Sequence, residues 1–326
     1  MKPAAVVLAE ASSSSWWPVA RRILVGCIMV GVIGLLVWRA RDIDWPAVWT
    51  SLREMEPWTL ARGAALAALS YALYGCFELF GWHYLKHPLP RWKMMAVATS
   101  SYAVNLNLGT LIGGVGFRYR LYARLGLHVP EVAKLVGLSI LINWLAYPLL
   151  LGICLVLQVV TLPADWDLPP DTLRVSGVAL CLVPLAYLAA CAKWSGKSWT
   201  IRGQKVTLPS ARAALLQLLL SSANWLASAA AIHTLISSAE VSYLAVVSAL
   251  MISAVAGVIA HIPGGLGVLE GVFIALLGSQ IPHGPLLGAL LAYRAIYYLA
   301  PLALATLTYL DIEATTRPHR RPQHPT

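Results

Sequence analysis

Gly113-Gly114-Val115-Gly116 and Gly264-Gly265-Leu266-Gly267 place the same glycine cluster inside strongly apolar sequence, 151 positions apart. Glycine is the weakest helix former after proline, so each cluster predicts an interruption in a hydrophobic helix. Lipid offers the backbone no hydrogen bonds, and irregular chain at membrane depth survives only where protein buries it or where it lines a cavity. Two matched interruptions in the two halves of one chain therefore predict a transport site built from broken helices.

The surrounding composition agrees. Hydrophobic residues make up 59% of the 326 positions and charged residues 12%, and the mean hydropathy is positive. Soluble domains carry about 25% charged residues, so the chain is a polytopic membrane protein and a soluble enzyme domain is excluded. The net charge of +10 does not imply nucleic acid, because the Lys and Arg residues flank apolar runs, where cytoplasmic loops and anionic headgroups account for them. Cys27, Cys76, Cys154, Cys181 and Cys191 lie in apolar segments without ligand spacing. They read as small buried hydrophobes, and no disulfide, metal or other cofactor is expected.

Apolar runs fall at roughly 23–38, 63–85, 94–112, 135–160, 175–192, 213–236, 243–260 and 286–310, with a short piece at 268–280. Basic residues sort their connections. Arg21 and Arg22 precede the first run, Lys86, Arg91 and Lys93 follow the second, and Arg118, Arg120, Arg124 and Lys134 follow the third. The 193–212 connection carries Lys193, Lys197, Arg202, Lys205 and Arg212, and the tail carries Arg317, Arg320 and Arg321. By contrast, 161–174 contains Asp165, Asp167 and Asp171, and 237–242 contains Glu240. The positive-inside bias places the basic connections in the cytoplasm and the two acidic ones outside.

That pattern is satisfied only if 94–112 enters from the cytoplasm and returns through the first glycine cluster, and if 243–260 enters from outside and returns as 268–280 through the second. The expected fold is thus all-α, a polytopic helical protein with six full spans and two re-entrant hairpins of opposite orientation. A cytoplasmic segment 1–22 precedes the membrane domain at 23–310, and a basic cytoplasmic tail covers 311–326, which places both termini inside. The 39–57 connection fits least well, since it lies outside yet carries Arg39, Arg41 and Arg53 beside Asp42, Asp44, Glu54 and Glu56. Asn143-Trp144-Leu145-Ala146, recurring as Asn224-Trp225-Leu226-Ala227, is a second trace of internal repetition.

Polar residues within the spans keep to helical faces: Ser70, Tyr74 and Glu78; Ser139, Asn143 and Tyr147; Gln217, Ser221, Asn224 and Ser228; Arg294 and Tyr298. Interhelical hydrogen bonding explains the uncharged ones. Glu78 and Arg294 demand more, because an ionisable group at the bilayer centre costs about 3 kcal/mol even on the lower scales. Glu270, three residues after Gly267, suits the start of a helix, where a carboxylate caps free N–H groups; counting depth from the outer ends also puts it within reach of Arg294. Arg118 and Arg120 follow the first cluster, where a cation opposes the helix dipole. A bound anion would reconcile them, with Gly113, Gly114 and Gly116 exposing amides as a phosphate cradle; simple cytoplasmic anchoring is the competing explanation. His261 and His233 read as packing residues. There is no His-Glu-x-x-His pair, Gly-x-Ser-x-Gly elbow or P-loop, and no enzymatic activity is expected.

Asn105-Leu-Asn-Leu-Gly-Thr-Leu-Ile-Gly-Gly-Val-Gly-Phe-Arg-Tyr-Arg-Leu-Tyr122, His261-Ile-Pro-Gly-Gly-Leu-Gly-Val-Leu-Glu270 and Ala292-Tyr-Arg-Ala-Ile-Tyr-Tyr-Leu-Ala-Pro301 together resemble the transmembrane region of lysylphosphatidylglycerol synthetases. The likeness covers nearly the whole chain and is closest to the stand-alone inner-membrane members of that family. It implies a lipid flippase in a bacterial cytoplasmic membrane, with an anionic phospholipid as the partner and Arg118, Arg120, Pro263, Gly264, Gly265, Gly267, Glu270 and Arg294 as the positions that matter. No soluble transferase accompanies the membrane region here, so synthesis of an aminoacylated lipid is not implied. A carrier for a small anionic solute or a polyprenyl-phosphate lipid would use the same cations, and a membrane scaffold would use none of them. Nothing in the pattern selects between a monomer and a homo-oligomer.

Overall fold

The computed structural model describes residues 45–85, 89–109, 114–159, 169–201, 204–260 and 262–315. Gly113, His261, the expected segment 1–22, the expected span 23–38, much of the acidic 161–174 connection and the end of the tail lie outside the described residues. The described chain is helical. Its helices are α1 (Trp45–Glu54), α2 (Pro57–Leu85), α3 (Arg91–Leu108), α4 (Phe117–Arg124), α5 (Val129–Val156), α6 (Pro170–Lys193), α7 (Ala211–Ile236), α8 (Tyr243–Ala260), α9 (Val268–Leu277), α10 (His283–Arg294) and α11 (Ala300–Thr315).

Six described helices are long and apolar enough to cross a membrane: Pro57–Trp82, Val129–Val156, Pro170–Lys193, Ala211–Ile236, Tyr243–Ala260 and His283–Leu307. Five coincide with expected full spans. The other, α8, is the descending arm of the second expected hairpin, so by length and composition it qualifies as a span as well. Its successor does not, since ten residues rise only about 15 Å. α4, with eight residues, is shorter still.

Local chemistry explains the boundaries. Ser210 Oγ accepts from Ala213 N at 3.2 Å and caps α7, and Glu131 Oε2 accepts from His128 N at 3.0 Å at the start of α5, where Pro130 sits in the first turn. α5 and α6 cross at backbone contact, because a Cβ on Gly152 would stand 2.6 Å from Gly177 O. α1 docks on α10 in the same way: a Cβ on Gly284 would meet Ala47, and one on Gly288 would meet Ser51. Two elements were not read from the sequence. The 39–57 connection contains α1, and the 193–212 connection contains a small antiparallel hairpin, β1 (Ser198–Ile201) with β2 (Gln204–Thr207), paired from Ser198–Thr207 to Ile201–Gln204.

The polar stripes face inward. Ser70, Glu78, Ser139, Gln217, Ser221, Asn224 and Ser228 are all buried. Ser70 Oγ lies 2.7 Å from Tyr297 OH and donates to Asn224 Oδ1 at 2.8 Å, and Ser228 Oγ meets Tyr293 OH at 2.7 Å. The two copies of the Asn-Trp-Leu-Ala motif also touch, with Trp225 Nε1 donating to Asn143 O at 2.8 Å.

Candidate functional site

The two glycine clusters, alike in sequence, take different conformations. In the second, Gly264, Gly265 and Gly267 all have positive φ (67°, 54° and 77°), which only glycine adopts at low cost. In the first, α3 stops at Gly109 with φ 83°, four residues before the cluster, while Gly114–Gly116 already wind as a π-type turn into α4. The departure from helix is thus earlier than the cluster predicts. Gly114 serves close packing instead, since a Cβ there would stand 2.9 Å from Asn105 Oδ1. Gly116 is exposed.

Each break carries an ion pair, fully buried at the first and partly buried at the second. Arg118, 3% exposed, forms a salt bridge through Nη2 with Glu78 Oε2 on α2 and donates to Ser139 Oγ at 3.3 Å. Glu78 also accepts from Tyr122 OH at 2.6 Å and from Ser139 Oγ at 2.8 Å. The anion that reconciles Arg118 with its helix start is therefore a side chain of the protein, Glu78. Arg120, two residues on, is exposed.

At the second break Arg294 binds four acceptors. Its Nε pairs with Glu270 Oε1, Nη2 donates to Glu270 Oε2 at 3.0 Å and to Gly265 O at 2.9 Å, and Nη1 donates to Gly264 O at 2.9 Å. Glu270 Oε2 also accepts from Gly267 N at 2.9 Å. Capping and pairing, both expected of Glu270 from the sequence, occur together. The tip of this break lies beside Gly264, Gly265 and Pro263, and a Cβ on Gly264 would stand 3.3 Å from Leu106 O. The second break thus rests on the end of α3, the helix that runs into the first.

A third irregular piece joins them. Between α10 and α11 the chain forms a π turn over Ala295–Leu299, an element that often marks functional positions in helices. Its carbonyls are met by side chains of other helices: Tyr71 OH donates to Tyr297 O at 3.0 Å, and Asn107 Nδ2 donates to Tyr298 O at 3.0 Å and to Ala103 O at 2.8 Å. The Arg294 guanidinium stands 5.1 Å from the Tyr298 ring centroid. Tyr71, Asn107, Tyr122 and Ser139 belong to this centre without having been read as site residues; Tyr71, Tyr122 and Ser139 keep helical spacing to Glu78, Arg118 and Asn143, and Asn107 falls in the Asn105–Tyr122 stretch that carries the family resemblance. Replacing Asn107 by leucine should strand Tyr298 O and cost about 1–3 kcal/mol. Hydrogen exchange would show it as faster exchange across 296–302 than in the parent, and unchanged exchange there would deny the link.

Comparison with known proteins identifies this assembly. The model of the lysylphosphatidylglycerol synthase transmembrane region matches residues 23–305. The chain belongs to that family. It is 43% identical over 302 residues to the inner membrane protein YbhN of Escherichia coli, covering 92% of this chain and 95% of that protein. An uncharacterized Synechocystis protein, slr0712, is 29% identical over 297 residues, covering 90% and 91% of the two chains. The phosphatidylglycerol lysyltransferase of Staphylococcus haemolyticus is 24% identical over 296 residues, which is 87% of this chain but 33% of the enzyme. Both breaks, both ion pairs and the π turn fall inside the matched region.

Proposed function

We propose that this chain translocates an anionic phospholipid between the leaflets of a bacterial cytoplasmic membrane, and that it does so as a transporter and not as an enzyme. The observation that supports this reading most is the convergence of two helix breaks and a π turn, each tied down by buried polar side chains, inside an apolar bundle. Irregular backbone at such a place is tolerated where a polar group must pass. In the mechanism, Glu78 and Glu270 hold the arginines while no headgroup is present. An entering phosphate, which accepts hydrogen bonds as a carboxylate does, takes over guanidinium N–H groups of Arg118, with Arg120 nearer the surface and Arg294 at the second break. The acyl chains remain in lipid.

The experiment is leaflet exchange of labelled phospholipids in liposomes holding the purified protein, with a polyprenyl phosphate included to test that class. Lysine cannot reproduce the bidentate geometry of arginine on phosphate. Arg118→Lys and Arg120→Lys should each slow exchange about tenfold or more, the worth of one charge-assisted hydrogen bond, in protein that still inserts and elutes as the parent. If both exchange lipid at the parent rate, neither arginine holds phosphate during translocation.

The reading includes the two re-entrant hairpins, supported by the shortness of α4 and α9 and by the charge of the connections. It places Lys134 in the cytoplasm and Glu240 outside. Single cysteines at these exposed positions, in a background without other cysteines, should label with an impermeant reagent from opposite faces. Labelling from the same face would end this topology.

A further inference from the structure

Three buried polar atoms lack a hydrogen-bond partner along one seam: Ser101 Oγ and Asn105 Oδ1 on α3 and Arg118 Nε on α4. The two helices run antiparallel here. Asn105 faces Gly114, and farther along Tyr122 OH lies 3.4 Å from Met94 O. Ser101 is one turn from Asn105 on α3, and Arg118 follows Gly114 by four residues on the facing segment, so the three atoms belong to one pair of facing segments. Ser101 and Arg118 are 2% and 3% exposed. Buried groups of this kind are rare in folded proteins because each retains its full desolvation cost, and they call for a ligand or a role.

The hydrogen-bonding character of the three atoms selects the ligand. Arg118 Nε–H only donates, Asn105 Oδ1 only accepts, and the Ser101 hydroxyl does both. A phosphate oxygen only accepts; it would suit Arg118 and Ser101 but set negative charge against Asn105 Oδ1. A hydroxyl donates and accepts through one atom and matches all three. We propose that this seam is a binding subsite for a hydroxyl group, carried by the polyol headgroup of a lipid or by a free polyol. Its lipid form deepens the translocation reading and rests on it: phosphate would engage the Nη side of Arg118, now held by Glu78, while Nε and the two α3 side chains read the headgroup. A site built around a hydroxyl rejects an analogue without one, because the site's own polar atoms are then left unpaired.

The test uses the intact protein in phosphatidylcholine nanodiscs, with phosphatidylglycerol and phosphatidylethanol as probes. Both are phosphodiesters of the same charge, and only the first has headgroup hydroxyls. Native mass spectrometry should find phosphatidylglycerol retained about tenfold over phosphatidylethanol. Ser101→Ala and Asn105→Leu should each bring the two lipids towards parity without lowering retention of phosphatidylethanol. A preference that persists in both variants overturns the subsite. Equal retention by the parent, with glycerol raising the melting temperature of the parent but not of Asn105→Leu, assigns the seam to free hydroxyl ligands; equal retention with no glycerol response overturns it. Retention requires no leaflet exchange, so a protein that prefers phosphatidylglycerol yet exchanges no lipid keeps the subsite and loses the translocation reading. Should Asn105→Leu fail to fold, Ser101→Ala alone carries both arms.

Discussion

Replacing Arg118 by methionine is expected to destabilise the protein by about 3–5 kcal/mol, the usual consequence of leaving one member of a buried ion pair alone. The side chains of Arg118 and Glu78 are 4% and 0% exposed, so water cannot take the place of the missing guanidinium. Tyr122 and Ser139 still donate to the carboxylate, but neutral donors do not balance its charge. The double variant Glu78→Gln with Arg118→Met removes both charges and should recover most of the loss, because well-packed neutral groups often replace a buried pair at little cost. Tyr122→Phe should cost less than the arginine single, about 1.5–3 kcal/mol for a hydrogen bond to a charged group. Reversible unfolding of the purified variants in mixed micelles would rank them. A double variant no more stable than Arg118→Met would show that the pair is not the source of the loss.

Much of this centre was legible before any coordinates. Composition and charge sorting place the spans, because burial in lipid forces long apolar runs and cytoplasmic cations mark their ends. Helical spacing of polar residues places Ser70, Glu78, Ser139 and Asn224 on buried faces, since side-chain direction follows from the helix alone. The pairing of Glu270 with Arg294 follows from similar depth on adjacent segments. The partner of Arg118 does not. Glu78 lies 40 positions earlier, and nothing local to either residue selects the other; only the packing of α2 against α3, α4 and α5 does. For the same reason the sequence offers an external phosphate where the fold supplies an internal carboxylate.

Glycine patterns mislead in a different way. Gly113–Gly116 and Gly264–Gly267 share a pattern that permits left-handed backbone, but permission is not requirement. At the first, α3 already ends at Gly109, and Gly114 is needed for the approach of Asn105. The π turn at Ala295–Leu299 has no sequence signature, because its extra residue is stabilised by Tyr71 and Asn107 from distant helices. α1 was hidden for a simpler reason: at ten residues it is too short to register against the spans, although Val48 and Leu52 are spaced to face one side.

The second large effect concerns Arg294, and here the geometry ranks three variants. Arg294→Gln leaves Glu270 without its counter-charge and strips Gly264 O and Gly265 O of their donors, so it should cost about 3–5 kcal/mol. Glu270→Gln keeps the arginine on both glycine carbonyls and preserves an acceptor for Gly267 N; with the two side chains 10% and 15% exposed, solvent relieves part of the remaining charge. A loss of about 1–3 kcal/mol is expected. The double variant removes the uncompensated charge but still strands the two carbonyls, so it should fall between the singles. Had the pair been a simple two-body contact, the double would be the mildest of the three. Because the arginine also holds the backbone, local opening should follow its loss specifically: hydrogen exchange across 264–271 should accelerate in Arg294→Gln and in the double, and much less in Glu270→Gln. Stability losses that add in the double would mean that the two side chains do not act as a pair; equal exchange in both singles would mean that Arg294 balances a charge without fastening the turn, and the break would then owe its shape to the three left-handed glycines alone.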